Sequence, residues 1–574
     1  MLAAEIARRV SQHQTESHKI IQELLTFDRH YRSEPRRRRA EIFANTFVME
    51  TFRDVESVVS ALMAIMFADA PFFEIEARSL DPEAQEKAVL TQALLEHQLN
   101  VMQFHTKFTR IVRYLVLNGT AVVGTPWAFT TRFISDGDSF KEVPLIDQPD
   151  IELVALPNWR FDTFAQDVPQ AEWVAVEMEA SKSVLRQVIS AANKLSDGEA
   201  KKPDALPAGG NQQTDIGLSV ARQIRFNKGF ANLDVKRNVI VDYWGKHPLK
   251  DTPVDWRIVT VNGNQTVVEI PNPYDHGMKP YLRGTYIDRD GSFYGLGVGG
   301  ILRRPQEEMN DFRNLGRDIL NYGLNNMQMR EGVGNTKAKR LPIKPGRIFD
   351  VEEWGKLTPL PVPLESLNAL IRMEELTKED MRFASAATTT TQALPTGVTA
   401  TEARIIASES GRRLNGQAIS IGETLLKPFL HRMIELNKQF LENKVIVKVA
   451  GESREVGRDD LLLAPDIDIK IATDLDFRQA MQRRLTSTIQ TLVQAKQVDE
   501  TLEINIRPLV AKLVKTFQVD PREVISVKKP EPPPPPPEAV LPAPAAVDSG
   551  QAIIAEELAR RGIPPEAAAE VLPQ

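Results

Sequence analysis

Three glycines, Gly295, Gly297 and Gly300, stand in G-x-G-x-x-G spacing inside YGLGVGGILRRPQEEMN, and a long helical pattern follows at once. Such a loop can cradle phosphate, because glycines let backbone N–H groups close on an anion while a helix N-terminus adds a favourable dipole. A dinucleotide site needs more: a strand running straight into the loop and an acidic residue at the end of the next strand. Here the strand-like YLRGTYI is cut off from Gly295 by the turn-rich DRDGSF, no second parallel strand follows, and Asp318 falls within the helix itself. The glycines are therefore read as a flexible, close-packed lead-in to a helix over Ile301–Met329, amphipathic through Leu302, Met309, Phe312, Leu315, Ile319 and Leu320.

Other groups offer less chemistry. The chain contains no cysteine, which excludes disulfides and zinc–thiolate sites. Its eight histidines are scattered without paired spacing, and neither a Walker A lysine nor a Ser/His/Asp grouping occurs. Asp466, Asp468, Asp474 and Asp476 carry oxygens that suit calcium or magnesium, but no glycine-centred loop frames them. Asp466 and Asp468 share one strand face beside Lys470, so a solvated strand edge is the reading. No catalytic group, metal or cofactor is expected. Two basic clusters remain, Arg36–Arg39 and the set Lys337, Lys339, Arg340, Lys344 and Arg347, either of which can meet phosphate or a partner protein. A polar run, Thr388, Thr389, Thr390, Thr391 and Gln392, precedes Pro395.

The elements that must position these residues change character along the 574-residue chain. A charged content of 26% and a hydrophobic content of 42% are ordinary for a soluble globular protein, and the net charge of −6 leaves nucleic-acid contact to local patches. MLAAEIARRVSQHQTESHK has no apolar h-region and no run reaches membrane-spanning length, so an unexported cytoplasmic chain is the simplest reading. EIFANTFVMETFRDVESVVSALMAIMFAD predicts a helix through Phe43, Phe47, Val55, Val58, Val59, Leu62 and Ile65, ended by Pro71. A second helix is predicted from Pro82 to Asn118, with Gly119 as its stop.

Strands follow in GTAVVGTPWAFTTRF, DIELVALPNWRFDT and AEWVAVEMEA, then a polar insertion over 196–217. They resume in RNVIVDYWG, in WRIVTVNGNQTVVEI with a hairpin turn at Asn262-Gly263, and in KPYLRGTYI. Beyond the glycine helix come a proline-punctuated basic segment, the helix LESLNALIRMEELTKEDMRFASAA, and the threonine loop. A last long helix runs to Leu441, capped by Thr399 or Thr401 and kinked at Pro428. KVIVKVAG and DIDIKIATDLD read as short strands and 477–527 as helical. KKPEPPPPPPEAVLPAPAAVDSG reads as a stiff linker before a short terminal helix.

The order of these segments resembles the portal proteins, or head-to-tail connectors, of tailed double-stranded DNA bacteriophages, above all the podovirus-type group. The resemblance rests on FYGLGVGGILRRPQEEMNDFRN, on LVLNGTAVV with FDTFAQDVPQAEWV further on, and on TGVTATEA opening the last long helix; it spans about 35–480. It implies a helix-rich mixed α+β portal fold with wing, stem, clip and helical crown. It also implies a ring, a homododecamer, at one capsid vertex of the virion, assembled in the host cytoplasm. By position, 1–295 would be the N-terminal helices and mixed α/β wing, 296–330 and 364–387 the stem helices, and 331–363 the clip. The tunnel loop would be 388–399, the long kinked wing helix 400–442, the wing strands 443–476, the crown 477–528, and the Pro-rich linker and tail 529–574.

The partners so implied are further copies of the chain, the large terminase subunit, head-completion or neck (adaptor) proteins, major capsid and scaffold proteins, and double-stranded DNA in the channel, with no membrane. Thr388 to Gln392 would face the channel, where short polar side chains let a duplex slide that a strongly basic wall would hold; without the resemblance, a linker between helices is the simpler reading. The basic cluster Lys337–Arg347 would meet motor or neck proteins, and salt bridges to a neighbour's Asp350, Glu352 or Glu353 explain it equally well. Two rivals stay open at this point. Another viral minor head protein would form no closed rings, and a nucleotide-using enzyme would be stabilised by ATP or NAD.

Overall fold

The computed structural model describes residues 1–35, 44–68, 71–79, 81–136, 139–180, 182–195, 238–324, 328–330, 357–359, 364–387, 400–442, 444–449, 452–462, 465–469 and 487–488. Thr388–Gln392, the Lys337–Arg347 cluster, Arg36–Arg39, Phe43, Thr399, nearly all of the expected crown, and the linker and tail lie outside them.

Leu2–Tyr31 forms α1, which serves two cores. Ile6 and Val10 on its first half pack on one face of a five-stranded antiparallel sheet, against Trp173, Ala175, Val241, Tyr243 and Ile258. The sheet has the order β10-β9-β8-β7-β6, from Gln265–Pro271, Trp256–Val261, Asn238–Gly245, Trp173–Ala180 and Trp159–Phe161. Its other face is covered by α5, Lys182–Leu195, a helix the sequence reading does not contain; Leu185, Ile189 and Ala192 meet Ile240, Val259, Val261 and Val268. Period-two alternation thus feeds two cores, one per face. At the β9–β10 turn Asn262 and Gly263 both have positive φ, 52° and 67°, as the predicted two-residue hairpin requires.

The main core joins the second half of α1 to α2 (Glu50–Met66), α3 (Pro82–Val101) and α4 (Phe104–Asn118). Two expectations are corrected here. The predicted helix over Pro82–Asn118 is two helices, broken where Gln103 turns left-handed at φ 55°; apolar periodicity runs through the break and hides it. The helix predicted through Phe47 begins only at Glu50, and Phe47 lies in the non-helical stretch 44–49. Gly119 ends α4 at φ 84°, as expected. Under α4 lies the sheet β11-β2-β5, from Tyr281–Thr285, Thr120–Gly124 and Glu152–Val154, with every residue of β2 buried. Trp127–Asp136 and Ser139–Pro149 form the hairpin β3–β4.

The second half of the chain closes over this core. Its helices are α6 (Val298–Leu324), α7 (Leu364–Ser385), α8 (Ala400–Ile421) and α9 (Lys427–Phe440). Phe429 of α9 stacks on Phe104 of α4 with ring centroids 5.5 Å apart. α6 ends at Leu324 rather than Met329, and Gln328–Arg330 pairs instead with Leu357–Pro359 as β12 and β13. Val445–Val449 and Glu452–Val456 make the hairpin β14–β15. Asp466–Ile469, β16, pairs antiparallel with β1, Phe73–Glu76, so the late strands return to the N-terminal helices.

Candidate functional site

The glycine motif is a junction of backbones. A Cβ on Gly297 would lie 2.4 Å from Gly119 N and 2.7 Å from Val116 O, and one on Gly295 would lie 2.6 Å from Gly119 O. One on Gly299, which the motif does not single out, would meet Leu117 O at 2.5 Å. The start of α6 is therefore pressed onto the C-terminus of α4, and the atoms nearest its glycines include carbonyl oxygens. These carry the wrong sign for holding phosphate. Gly300 is less constrained, since its closest neighbour is the end of the Leu296 side chain at 3.1 Å.

One face of α6 carries Gln306, Asn310, Asn314 and Asp318, four residues apart and therefore in line along the helix. Their oxygens receive the backbone of the extended stretch before α2. Ala44 N donates to Asp318 Oδ1 at 2.6 Å, Thr46 N to Asn314 Oδ1 at 2.7 Å, Val48 N to Asn310 Oδ1 at 3.0 Å, and Thr51 N to Gln306 Oε1 at 3.0 Å. The amides donate back, Gln306 Nε2 to Val48 O and Asn314 Nδ2 to Thr46 O. Alternate N–H groups of an extended chain point the same way, so a helix with polar residues at every fourth position can pair with it. This is why Phe47 is not helical: the N–H groups on either side of it are taken by α6. The sequence signal was this polar four-residue series, which reading α6 for its apolar positions alone passes over.

α6 and α7 are clamped by Arg313, whose Nε donates to Glu374 Oε2 at 2.7 Å while a second guanidinium nitrogen bonds Glu374 Oε1. The end of α7 is the root of 388–399 and is tied on two sides. Arg413 of α8 donates from Nη1 to Phe383 O at 2.9 Å and from Nη2 to Ala384 O at 3.0 Å, filling acceptors that a helix end leaves open. Ser385 Oγ donates to Asp54 Oδ2 of α2 at 3.1 Å, and Ala386 leaves the helix left-handed at φ 59°. Asp54 is fully buried, and burial pushes its carboxyl up to about 6 against the opposing pull of Arg53 and Ser385.

Pro428 stands in the first turn of α9, where its missing N–H costs little. The irregularity expected at Pro428 lies in the turn before it: Gly422–Leu426 is π-helical, with Lys427 N donating to Gly422 O. Pro305 stands inside α6, which continues unbroken through it.

The structure brings Gly295, Gly297 and Gly119 together, places Gly300 in the first turn of α6 and puts Pro428 at the head of α9. Asp466 and Asp468 lie opposite Glu76 and Glu74 across β1–β16. Among the described residues no group of three or more His, Asp or Glu is placed to hold a metal ion, and no helix is long and apolar enough to cross a membrane. No curated protein matches the chain. The sequence pattern of the Phage SU10 portal protein family does match, over residues 141–553, from the second strand of the β3–β4 hairpin through α6 to α9 and the strands beyond. A match over most of the chain, joined to the helix order just described, identifies it: the chain belongs to the Phage SU10 portal protein family and is a phage portal protein.

Proposed function

We propose that this portal protein forms a closed homo-oligomeric ring at one capsid vertex of the virion. The ring provides the channel through which double-stranded DNA is packaged and later ejected, and it docks the large terminase subunit first and neck or adaptor proteins afterwards. In this reading α6 and α7 form the stem, 331–363 the clip with Lys337, Lys339, Arg340, Lys344 and Arg347, and 388–399 the loop that meets DNA through Thr388–Gln392. The observation that supports the loop assignment is the anchoring of its first root: Arg413 of α8, beyond the loop, holds the last carbonyls of α7, before it. A helix end held in this way can carry a projecting loop without loosening the wall behind it.

The reading makes no use of catalysis or a cofactor. End-on negative-stain images of the purified chain test it, with closed annuli expected. Replacing TTTTQALPTG by a short Gly-Ser bridge should leave rings intact and impair packaging or DNA retention. Unaffected rings together with normal packaged genomes would remove the loop assignment.

A further inference from the structure

The end of α7 carries an unfinished polar network. Asp54 of α2 is wholly buried, and its Oδ2 is hydrogen-bonded by the Ser385 hydroxyl. Its Oδ1 has no hydrogen-bond partner among the described residues, and neither has Arg382 Nε, an atom shut away from water one turn before Ser385. A buried donor and a buried acceptor left open at the same place are both costly, so the pair calls for a reason. Arg382 and Ser385 are three residues apart and therefore share a face of the helix. The Arg382 charge already acts on Asp54.

The Ser385 hydroxyl has one proton and two acceptors within reach, Asp54 Oδ2 at 3.1 Å and Arg382 O at 3.2 Å. A guanidinium is a stronger partner for a carboxylate than a hydroxyl is. What keeps Ser385 in front of Asp54 is backbone: Arg413 holds the carbonyls of Phe383 and Ala384, and Ala386 is left-handed.

We propose that Asp54 is the fixed half of a two-position latch at the root of 388–399. In one position it holds Ser385, as described above. In the other the last turn of α7 rotates, Arg382 takes the place of Ser385 on Asp54, and the Ser385 hydroxyl turns to the Arg382 carbonyl. The groups that face Asp54 are Arg53 and Glu50 from its own helix and Ser385 and Arg382 from α7. Burial pushes its carboxyl up to about 6, so the charge that draws Arg382 is present above that pH and lost below it. That the latch governs a DNA-contacting loop rests on the loop assignment; the exchange of partners does not.

A nitroxide on Phe383→Cys tests it in full-length protein, since residue 383 is exposed and the chain has no other cysteine. At about pH 8 the wild-type background should show a second spectral component that is lost at about pH 5. Arg382→Met, which leaves Asp54 charged, and Asp54→Asn, which leaves Arg382 charged, should each abolish that change. A wild-type spectrum identical at both pH values, or a change that survives in either variant, overturns the latch. The readout needs neither rings nor DNA. A latch that switches as expected, in a chain whose 388–399 segment can be replaced without harm to packaging, would strike the loop assignment and leave the latch standing.

Discussion

Gln306 Oε1 accepts both the backbone N–H and the hydroxyl of Thr51, at 3.0 and 2.8 Å, in a place where both residues are almost wholly excluded from water. Gln306→Leu keeps the volume but orphans Thr51 N and the Val48 carbonyl that the amide also serves. Each buried group left unpaired costs about 1–3 kcal/mol, so the variant should lose ~3 kcal/mol in urea unfolding. A loss below ~1 kcal/mol would show that water replaces the amide.

The glycine junction separates two substitutions that look alike in sequence. Gly297→Ala forces a methyl to within 2.4 Å of Gly119 N, against backbone that cannot yield, and should give insoluble or severely destabilised protein. Gly300→Ala meets only a side-chain end and gains helix propensity, so its melting temperature should change little or rise. A phosphate-binding role for the motif predicts something else: nucleotide-dependent stabilisation of the wild type, which thermal melts with ATP or NAD would detect.

Asp54 makes a pH-dependent prediction of definite sign. Its carboxyl is raised from 3.8 to about 6 in the folded protein. Its contribution to stability is therefore fully present below pH about 4 and declines as pH rises through 6. Asp54→Asn keeps an oxygen for Ser385 and removes that decline. At about 1.4 kcal/mol per unit, the variant should exceed wild type by up to ~3 kcal/mol at pH 7, with the gap closing near pH 4. Denaturation midpoints at pH 4, 5, 6 and 7 decide it; a variant weaker than wild type at pH 7 contradicts the assignment.

Arg413→Ala should leave the fold standing while exposing the last carbonyls of α7. The guanidinium is exposed, so a stability loss near ~1 kcal/mol is expected. Faster hydrogen exchange should be confined to residues 381–387, read by mass spectrometry on peptic fragments. Arg413→Lys should not restore protection, because one ammonium cannot span two carbonyls in a fixed fork. Equal exchange in all three proteins would mean that the tie is idle.

Punctuation was legible in the sequence; side-chain claims on backbone were not. Gly119 and Asn262-Gly263 act through their own dihedral preferences, so the stops they make can be read locally. Gln103 has no such preference, and its left-handed turn follows from packing α3 and α4 separately. The bounds of α2 depend on amides roughly 260 residues away in α6, beyond the reach of any local window. Leu315 and Leu320 were read as part of a buried face, yet are 51% and 43% exposed in the single chain. Hydrophobic periodicity reports that a face wants cover and says nothing of which molecule supplies it. The candidate glycines were visible from their spacing, whereas Arg413, Asp54 and Ser385 carry no motif.

Four residues of α-helix rise about 6.0 Å, while two residues of extended chain advance about 6.7 Å. The pairing of α6 with 44–51 therefore works as a vernier, its two scales drifting by about 0.7 Å at each mark and coinciding over only a few. At the far mark the chain steps three residues, from Val48 to Thr51, and the side chain that meets it is glutamine, one methylene longer than the asparagines before it. Sliding the chain by one residue would turn every N–H away at once. The height of α2 on α6 thus has a single permitted setting with no intermediate positions.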